Sequence, residues 1–129
     1  MNDKIDNMSQ LNVTTCNEIS TVESNTVEVD VVEITIEKTA NCYWTVPGGV
    51  VTFCNKITNP SDIEIYDSIF IDELDDRFEY VPDSFMVDGV HASPLIIGRR
   101  IQYAIAQLRP ETEKTICFKV KILPQTQND

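Results

Sequence analysis

The sequence predicts an all-β protein, an antiparallel β-sandwich of about seven strands with an extended arm at its N-terminus. Short segments in which apolar and polar residues alternate are separated by turn sequences such as Pro47-Gly48-Gly49 and Asp88-Gly89, and no segment has a convincing helical period. The clearest strand is the last one, where Ile116, Phe118, Val120 and Ile122 alternate with Thr115, Cys117, Lys119 and Lys121. One face of that strand is expected to lie in a core and the other in solvent.

The N-terminal region differs in composition from the rest of the chain. Residues 1 to about 26 are mostly Asn, Ser, Thr, Asp and Glu, which predicts an arm outside the core that is flexible when alone. Val27, Val29 and Val31 then alternate with acidic residues, and the apolar phase shifts at Val32. This shift is explained by a bulge, by a strand that leaves one sheet and joins another, or by a strand donated to a neighbouring subunit. The predicted divisions are an arm over 1–31, a sandwich over 32–124 and a tail over 125–129.

Length and charge limit the classes of function. The chain has 129 residues, enough for one domain, and a formal net charge of −11. Such an acidic surface repels phosphates and anionic lipid headgroups, so nucleic acid is not an expected partner. No run of about 18 apolar residues occurs, so membrane insertion is not expected either. Residues 1–10 lack the basic start and apolar stretch of a secretory signal. We therefore expect a protein that stays inside its cell, one whose signal has been removed, or one released when a mother cell lyses.

Four cysteines are the main candidates for chemistry. Cys16 lies on the arm and Cys42 in an early loop, whereas Cys54 and Cys117 fall on outward positions of their strands. No C-x-x-C pair is present, so a zinc site is not expected, and three internal connectivities remain open. Burial does not explain outward cysteines, which favours covalent cross-linking within or between subunits. The alternative is a set of reduced thiols in a cytosolic protein.

Several spaced segments resemble one known bacterial family. They are Pro47-Gly48-Gly49-Val50-Val51-Thr52-Phe53, Ile57-Thr58-Asn59, Tyr66-Asp67-Ser68-Ile69, Phe78 to Ser84, Val87-Asp88-Gly89-Val90 and Leu108-Arg109-Pro110-Glu111. Together with the last strand, they resemble the family called domain of unknown function 11 over about residues 34–122. The chain departs from the family pattern at a corner that lacks its proline and at Asn55, a polar residue at an inward position. The resemblance implies an immunoglobulin-like sandwich of bacterial surface proteins, used in stalk repeats and similar to subunits of spore appendages.

No residue pattern points to an enzyme, a cofactor or a metal site. The acidic corner from Asp72 to Asp76 lacks the spaced ligands and the glycine of a calcium loop, and the residues around His91 show no pattern of a nucleophile site. Related pilin domains join a lysine to an asparagine through an internal isopeptide bond beside an acid. Lys38 and Asp67 are the candidates for the amine and the acid of such a bond. The last strand, however, contains no asparagine or aspartate to accept it.

Two functions remain as interpretations. In the first, the chain is a structural subunit that polymerises with itself, head to tail, into a fibre or appendage on a bacterial cell or spore surface. The arm and disulfides would then join the subunits. In the second, it is an adhesin-like module that binds through aromatic residues, for which Tyr43, Trp44, Tyr66 and Phe70 are the candidates.

Overall fold

The computed structural model describes residues 3–125, and that part of the chain consists of antiparallel β-sheets with no helix. Residues 126–129 of the predicted tail lie outside the described residues. The strands are β1 Asp3–Asn7, β2 Gln10–Thr14, β3 Ile19–Glu23, β4 Val27–Val31, β5 Thr35–Ala40, β6 Val50–Asn59, β7 Ile65–Glu73, β8 Phe78–Tyr80, β9 Met86–Val87, β10 Val90–His91, β11 Leu95–Ile97, β12 Arg100–Leu108 and β13 Thr112–Ile122.

The N-terminal arm is a two-stranded β-hairpin. Strand β1 pairs with β4, and β2 pairs with β3, both antiparallel. Between the two ladders, the Ser24 amide donates to the Ser9 carbonyl oxygen at 2.8 Å. The tip is closed by the Thr15 amide, which donates to the Glu18 carbonyl oxygen at 2.8 Å. Within the described residues, the arm thus forms a local antiparallel ladder, in which polar segments with little apolar alternation find partners, and its flexibility when alone stays a prediction. We call residues 3–31 the hairpin.

The phase shift at Val32 marks the boundary between two sheets. Strand β4 belongs to the hairpin, whereas β5 pairs with β6 in the rest of the fold. The second explanation, a strand that leaves one sheet and joins another, describes this arrangement. Val27, Val29 and Val31 are already paired with β1 in their own chain, so only the other edge of β4 is free to pair.

Strands β5 to β13 form two sheets around one core, an arrangement compatible with a β-sandwich. The larger sheet has the order β10-β9-β13-β6-β5, with β8 also paired to β13, and the smaller has the order β11-β12-β7. The buried core residues are Val51, Ile57, Phe70, Phe85, Ile101, Ile105, Leu108, Ile116, Phe118 and Val120. The ring of Phe85 contacts Tyr103 of the smaller sheet and Phe118 of the larger one, with centroids 5.2 and 6.2 Å away. We call this part, residues 35–122, the body.

Candidate functional site

One face of the hairpin is apolar and exposed. Cross-strand partners in an antiparallel ladder point to the same side, so the register places Ile5 beside Val29 and Leu11 beside Val22. The apolar side chains on this face are Ile5, Leu11, Val13, Val22, Val27, Val29 and Val31, and all but the half-buried Val31 are exposed. The register places the polar Asp3, Asn7 and Ser20 among them. We call this surface the apolar hairpin face. An exposed apolar surface of this kind is typical of an interaction site.

A bulge keeps these side chains on one face. Between the two ladders, Met8 and Ser9 on the first strand lie opposite three residues, 24–26, on the second. The extra residue compensates for the odd spacing between Val22 and Val27, which would put their side chains on opposite faces of a regular strand. The apolar face thus continues across both halves of the hairpin.

The opposite face of the hairpin is mostly polar. Lys4 Nζ donates to Asp30 Oδ1 at 2.7 Å, and Asp6 lies beside Glu28 in the same ladder. The Asp30 carboxylate raises the pKa of Lys4 through this bond and its charge. Beyond the bulge, the Thr21 hydroxyl donates to the Asn12 side chain at 3.0 Å. The hairpin is therefore amphipathic.

The four cysteines are divided between one disulfide and two free thiols. Cys54 and Cys117 lie directly opposite each other on β6 and β13 and form a disulfide. Cys16 is exposed at the tip of the hairpin, between Thr15 and Glu18, and is free. Cys42 is also free, half-buried after β5, and packs against the core. The two thiols available for a bond to another chain thus lie on different parts of the molecule, one on the hairpin and one on the body.

A second exposed apolar surface covers the outside of the smaller sheet. Its apolar side chains come from all three strands: Leu95, Ile97, Ile69, Ile71 and Ala104. Gln102 and the Arg100–Glu73 ion pair lie on the same face. The register aligns Leu95 and Ile71 on either side of Gln102, and Ile69 with Ala104. We call this surface the outer sheet face. The spacing of Ile69 and Ile71 by two residues indicated that they share one face of β7. The sequence did not show that this face lies outside the core.

A groove of about 280 Å³ lies between the edge strands β5 and β7. Lys38 and Asn55 are partners in the β5–β6 ladder, and both line the groove with Asp72 of β7. Lys38 Nζ contacts the Asp72 carboxylate. Asp67, the acid predicted for Lys38, instead has a positive φ of 58° at an irregularity in β7, and no ion pair or hydrogen bond joins it to Lys38 among residues 3–125.

The aromatic candidates are separated by burial. Tyr43 is 100% exposed and Trp44 is 83% exposed in the loop after β5. Tyr66 is exposed on β7, where its hydroxyl donates to the Glu64 carboxylate at 2.6 Å. Phe70 is only 5% exposed and belongs to the core, so it cannot bind a partner.

Comparison with protein families, with characterised proteins and with solved structures finds no match for this chain. Within residues 3–125, no helix is long and apolar enough to cross a membrane. Over the same residues, no group of three or more His, Cys, Asp or Glu side chains is arranged to hold a metal ion. The site is therefore interpreted from its own residues.

Proposed function

We propose that the chain is a non-enzymatic structural subunit that assembles with copies of itself into a fibre or appendage on a bacterial cell or spore surface. The observation that carries the proposal is the amphipathic hairpin, whose apolar face is exposed and whose tip holds the free Cys16. Such a face is stabilised when another apolar surface covers it, at about 25 cal/mol for each Å² removed from water. The hairpin is then the connector between subunits.

The outer sheet face of a second copy is the surface that receives the hairpin. Both surfaces are sheet faces with aliphatic side chains, and sheets of this kind pack face to face about 10 Å apart. The contact joins different surfaces on the two copies, so it repeats head to tail and extends into a filament unless the rotation between subunits closes a ring.

A disulfide between the two free thiols would lock this contact covalently. We propose a disulfide between Cys16 of one copy and Cys42 of the next, because one thiol lies on the connector and the other on the body. The bond forms when the two thiols lose two protons and two electrons to an oxidant, either dioxygen or a disulfide that exchanges with them. The Cys54–Cys117 disulfide is compatible with a further cross-link of this kind.

The family resemblance favours a location of this subunit on a bacterial surface. An immunoglobulin-like topology of the body and membership of the domain of unknown function 11 family would agree with a building block of bacterial surface structures. Two antiparallel sheets around one core support that assignment. Assembly in a mother cell, followed by release at lysis, would bring the subunit to the spore surface.

A second function, an adhesin-like surface module, is favoured by one observation. Tyr43 and Trp44 are adjacent and almost fully exposed in the loop after β5. Exposed aromatic pairs stack on sugar rings or anchor protein partners. A Trp44→Ala variant that keeps fibre formation but loses adhesion to the host or spore surface would assign this second role.

The test of the subunit role uses substitutions within the hairpin. Leu11→Asp with Val29→Asp places charges on the apolar hairpin face, and we expect fibres seen by electron microscopy to disappear while the circular dichroism of the body is retained. The matched control, Asn12→Asp with Thr21→Asp, adds the same charge to the polar face and should leave fibres intact. Fibres of normal length from the first variant would contradict the proposal.

A further inference from the structure

The groove between β5 and β7 brings together an amine, a carboxamide and a carboxylate. Lys38 extends from β5, Asn55 from β6 and Asp72 from β7, so the three groups come from both sheets of the body. The Lys38 amine contacts Asp72 and lies over the rings of Phe53 and Phe118, 4.9 and 5.6 Å from their centroids. The amine thus lies over core aromatic rings, and the ladder partner of Lys38, Asn55, lines the same groove.

Asn55 is a polar residue at a core position that hydrogen bonding does not explain. Its neighbour in the ladder with β13 is Ile116, which is fully buried, and Asn55 itself is 1% exposed. Its amide nitrogen reaches the Ile116 carbonyl oxygen only at 3.5 Å, beyond the usual hydrogen-bond range. Among residues 3–125, its carboxamide oxygen accepts no hydrogen bond. Buried carboxamides are normally satisfied, and this one lines the groove that holds the lysine.

Asp72 occupies the position of a proton carrier. Its side chain is 12% exposed, and its carboxylate contacts the amine that would have to lose a proton before it can attack a carbonyl carbon. A carboxylate that contacts the nucleophile can accept this proton and then donate it to the leaving group.

We propose that Lys38 and Asn55 form an intramolecular amide bond with Asp72 as the acid and base. Lys38 Nζ attacks Cγ of Asn55 and the new Nζ–Cγ bond forms. The bond between Cγ and Nδ2 breaks as Asp72 passes one of the lysine protons to the leaving nitrogen, which departs as ammonia. The second proton that the ammonium group loses stays on the Asp72 carboxyl group or passes to solvent. The exchange conserves electrons and needs no oxidant or cofactor.

The carboxamide of Asn55 is a better acceptor than the carboxylate of Asp72 on chemical grounds. A carboxylate carries a negative charge that disfavours attack at its carbon, whereas the carboxamide is neutral. The carboxamide also has a nitrogen that leaves as ammonia once it is protonated. The proposed amide bond explains both why Lys38 contacts Asp72 and why a carboxamide without good hydrogen bonds is buried at position 55.

The bond would join the edge strand β5 covalently to β6. Strand β5 is the first strand of the body after the hairpin. Force applied to the hairpin in a fibre reaches the body through β5, whose only ladder partner among the described strands is β6. A covalent bond at this point prevents β5 from peeling away. The inference does not depend on fibre formation, because the bond forms within one chain.

Intact mass of the reduced, denatured full chain tests the inference. We expect a mass one ammonia below that of the sequence, and a linked peptide that joins Lys38 to Asn55 after digestion. Lys38→Arg, Asn55→Ala and Asp72→Asn should each have the full mass of their sequences. Lys56→Arg, on the same strand as Asn55, is the matched control and should retain the loss of ammonia.

Misfolding of a variant is separated from loss of chemistry by Asn55→Asp. This variant keeps the shape of the side chain, and its buried carboxyl group is neutral when protonated, so the bond can form with loss of one water in place of one ammonia. Formation of the Cys54–Cys117 disulfide in every variant reports a folded body. A wild-type chain with the full mass of its sequence would overturn the inference, as would loss of water with a link between Lys38 and Asp72.

Discussion

The side chain of Asn59 holds the corner at which β6 ends. It is fully buried, and its amide nitrogen donates to the carbonyl oxygens of Ile63, Leu108 and Arg109 at 2.7, 3.1 and 3.2 Å. Its oxygen accepts from both the amide and the hydroxyl of Ser61, at 3.1 and 2.6 Å. One side chain therefore satisfies the backbone of the β6–β7 corner and of the turn after β12, so the two sheets are tied at this end.

Replacing Asn59 with alanine should destabilise the body strongly. The substitution leaves buried carbonyl oxygens without a donor, and we expect the free energy of unfolding to fall by about 3 kcal/mol. Urea denaturation measures the change. Asn12→Ala, an exposed asparagine of the hairpin, is the control and should change the value by less than about 0.5 kcal/mol. Equal effects of the two substitutions would contradict the role of Asn59.

Tyr66 controls the titration of Glu64. Its hydroxyl donates to the carboxylate, the Gln107 amide contacts the other carboxylate oxygen, and both lower the pKa of Glu64. A folded pKa below the unfolded value contributes stability above the unfolded pKa, and this stability is lost as pH falls through the folded pKa. In Tyr66→Phe, the pKa of Glu64 should therefore rise towards its ordinary value, as measured by NMR titration of the carboxyl carbon. Thr58→Ala serves as a control, and an unchanged pKa in Tyr66→Phe would exclude the hydroxyl as the cause.

The disulfide joins the two longest strands of the body. Strands β6 and β13 pair over ten residues, and Cys54 and Cys117 are separated by 63 positions in the sequence. A bond that closes a loop of this length restricts the unfolded chain.

Removal of this disulfide should lower stability without changing the fold. For Cys54→Ala with Cys117→Ala, we expect the free energy of unfolding to fall by about 3 kcal/mol, because the unfolded chain regains the entropy of an open loop. Guanidinium denaturation of the double variant and the oxidised wild type gives the difference. The Cys16→Ser variant is the control and should unfold like the wild type. A change below about 1 kcal/mol would show that the disulfide contributes little to the body.

The alternation of apolar and polar residues predicted some strands and side-chain positions and missed others. The outward positions of Cys54 and Cys117 followed from simple parity, because β6 and β13 run as a regular ladder. Parity failed on β7, where the φ of 58° at Asp67 interrupts the alternation and turns Phe70 into the core. Alternation marked β4 of the hairpin, but strands β1 to β3 were missed because their apolar residues are too sparse to mark a period. The pairing of the cysteines depended on a register that the sequence does not contain.

At the scale of the whole molecule, the hairpin and the body have different roles. The body buries a core of aliphatic and aromatic residues, whereas the apolar side chains of the hairpin remain mostly exposed. In the proposed fibre, a chain with one exposed apolar surface on each part would join its neighbours through two different contacts. Its net charge of −11 opposes such contacts through long-range repulsion, which salt screens beyond about 10 Å at 0.1 M. The proposed assembly would therefore depend on the short-range apolar contact and on the intermolecular disulfide.

The proposed lock between Cys16 and Cys42 predicts a specific pattern of cross-links. Wild-type protein under oxidising conditions should give a ladder of covalent oligomers on a non-reducing gel, and the reductant should collapse it to monomer. Cys16→Ser alone and Cys42→Ser alone should each give no ladder, because each variant lacks one partner of the heterologous bond.

An equimolar mixture of the two single variants decides between the possible junctions. The mixture retains one Cys42 on the first variant and one Cys16 on the second, so it should form a covalent dimer and nothing longer. Peptide mapping of that dimer should join Cys16 to Cys42, and the double variant is the negative control. A covalent dimer from Cys42→Ser alone would instead join two hairpin tips. Such a symmetric bond closes after two subunits, so it would contradict the head-to-tail lock.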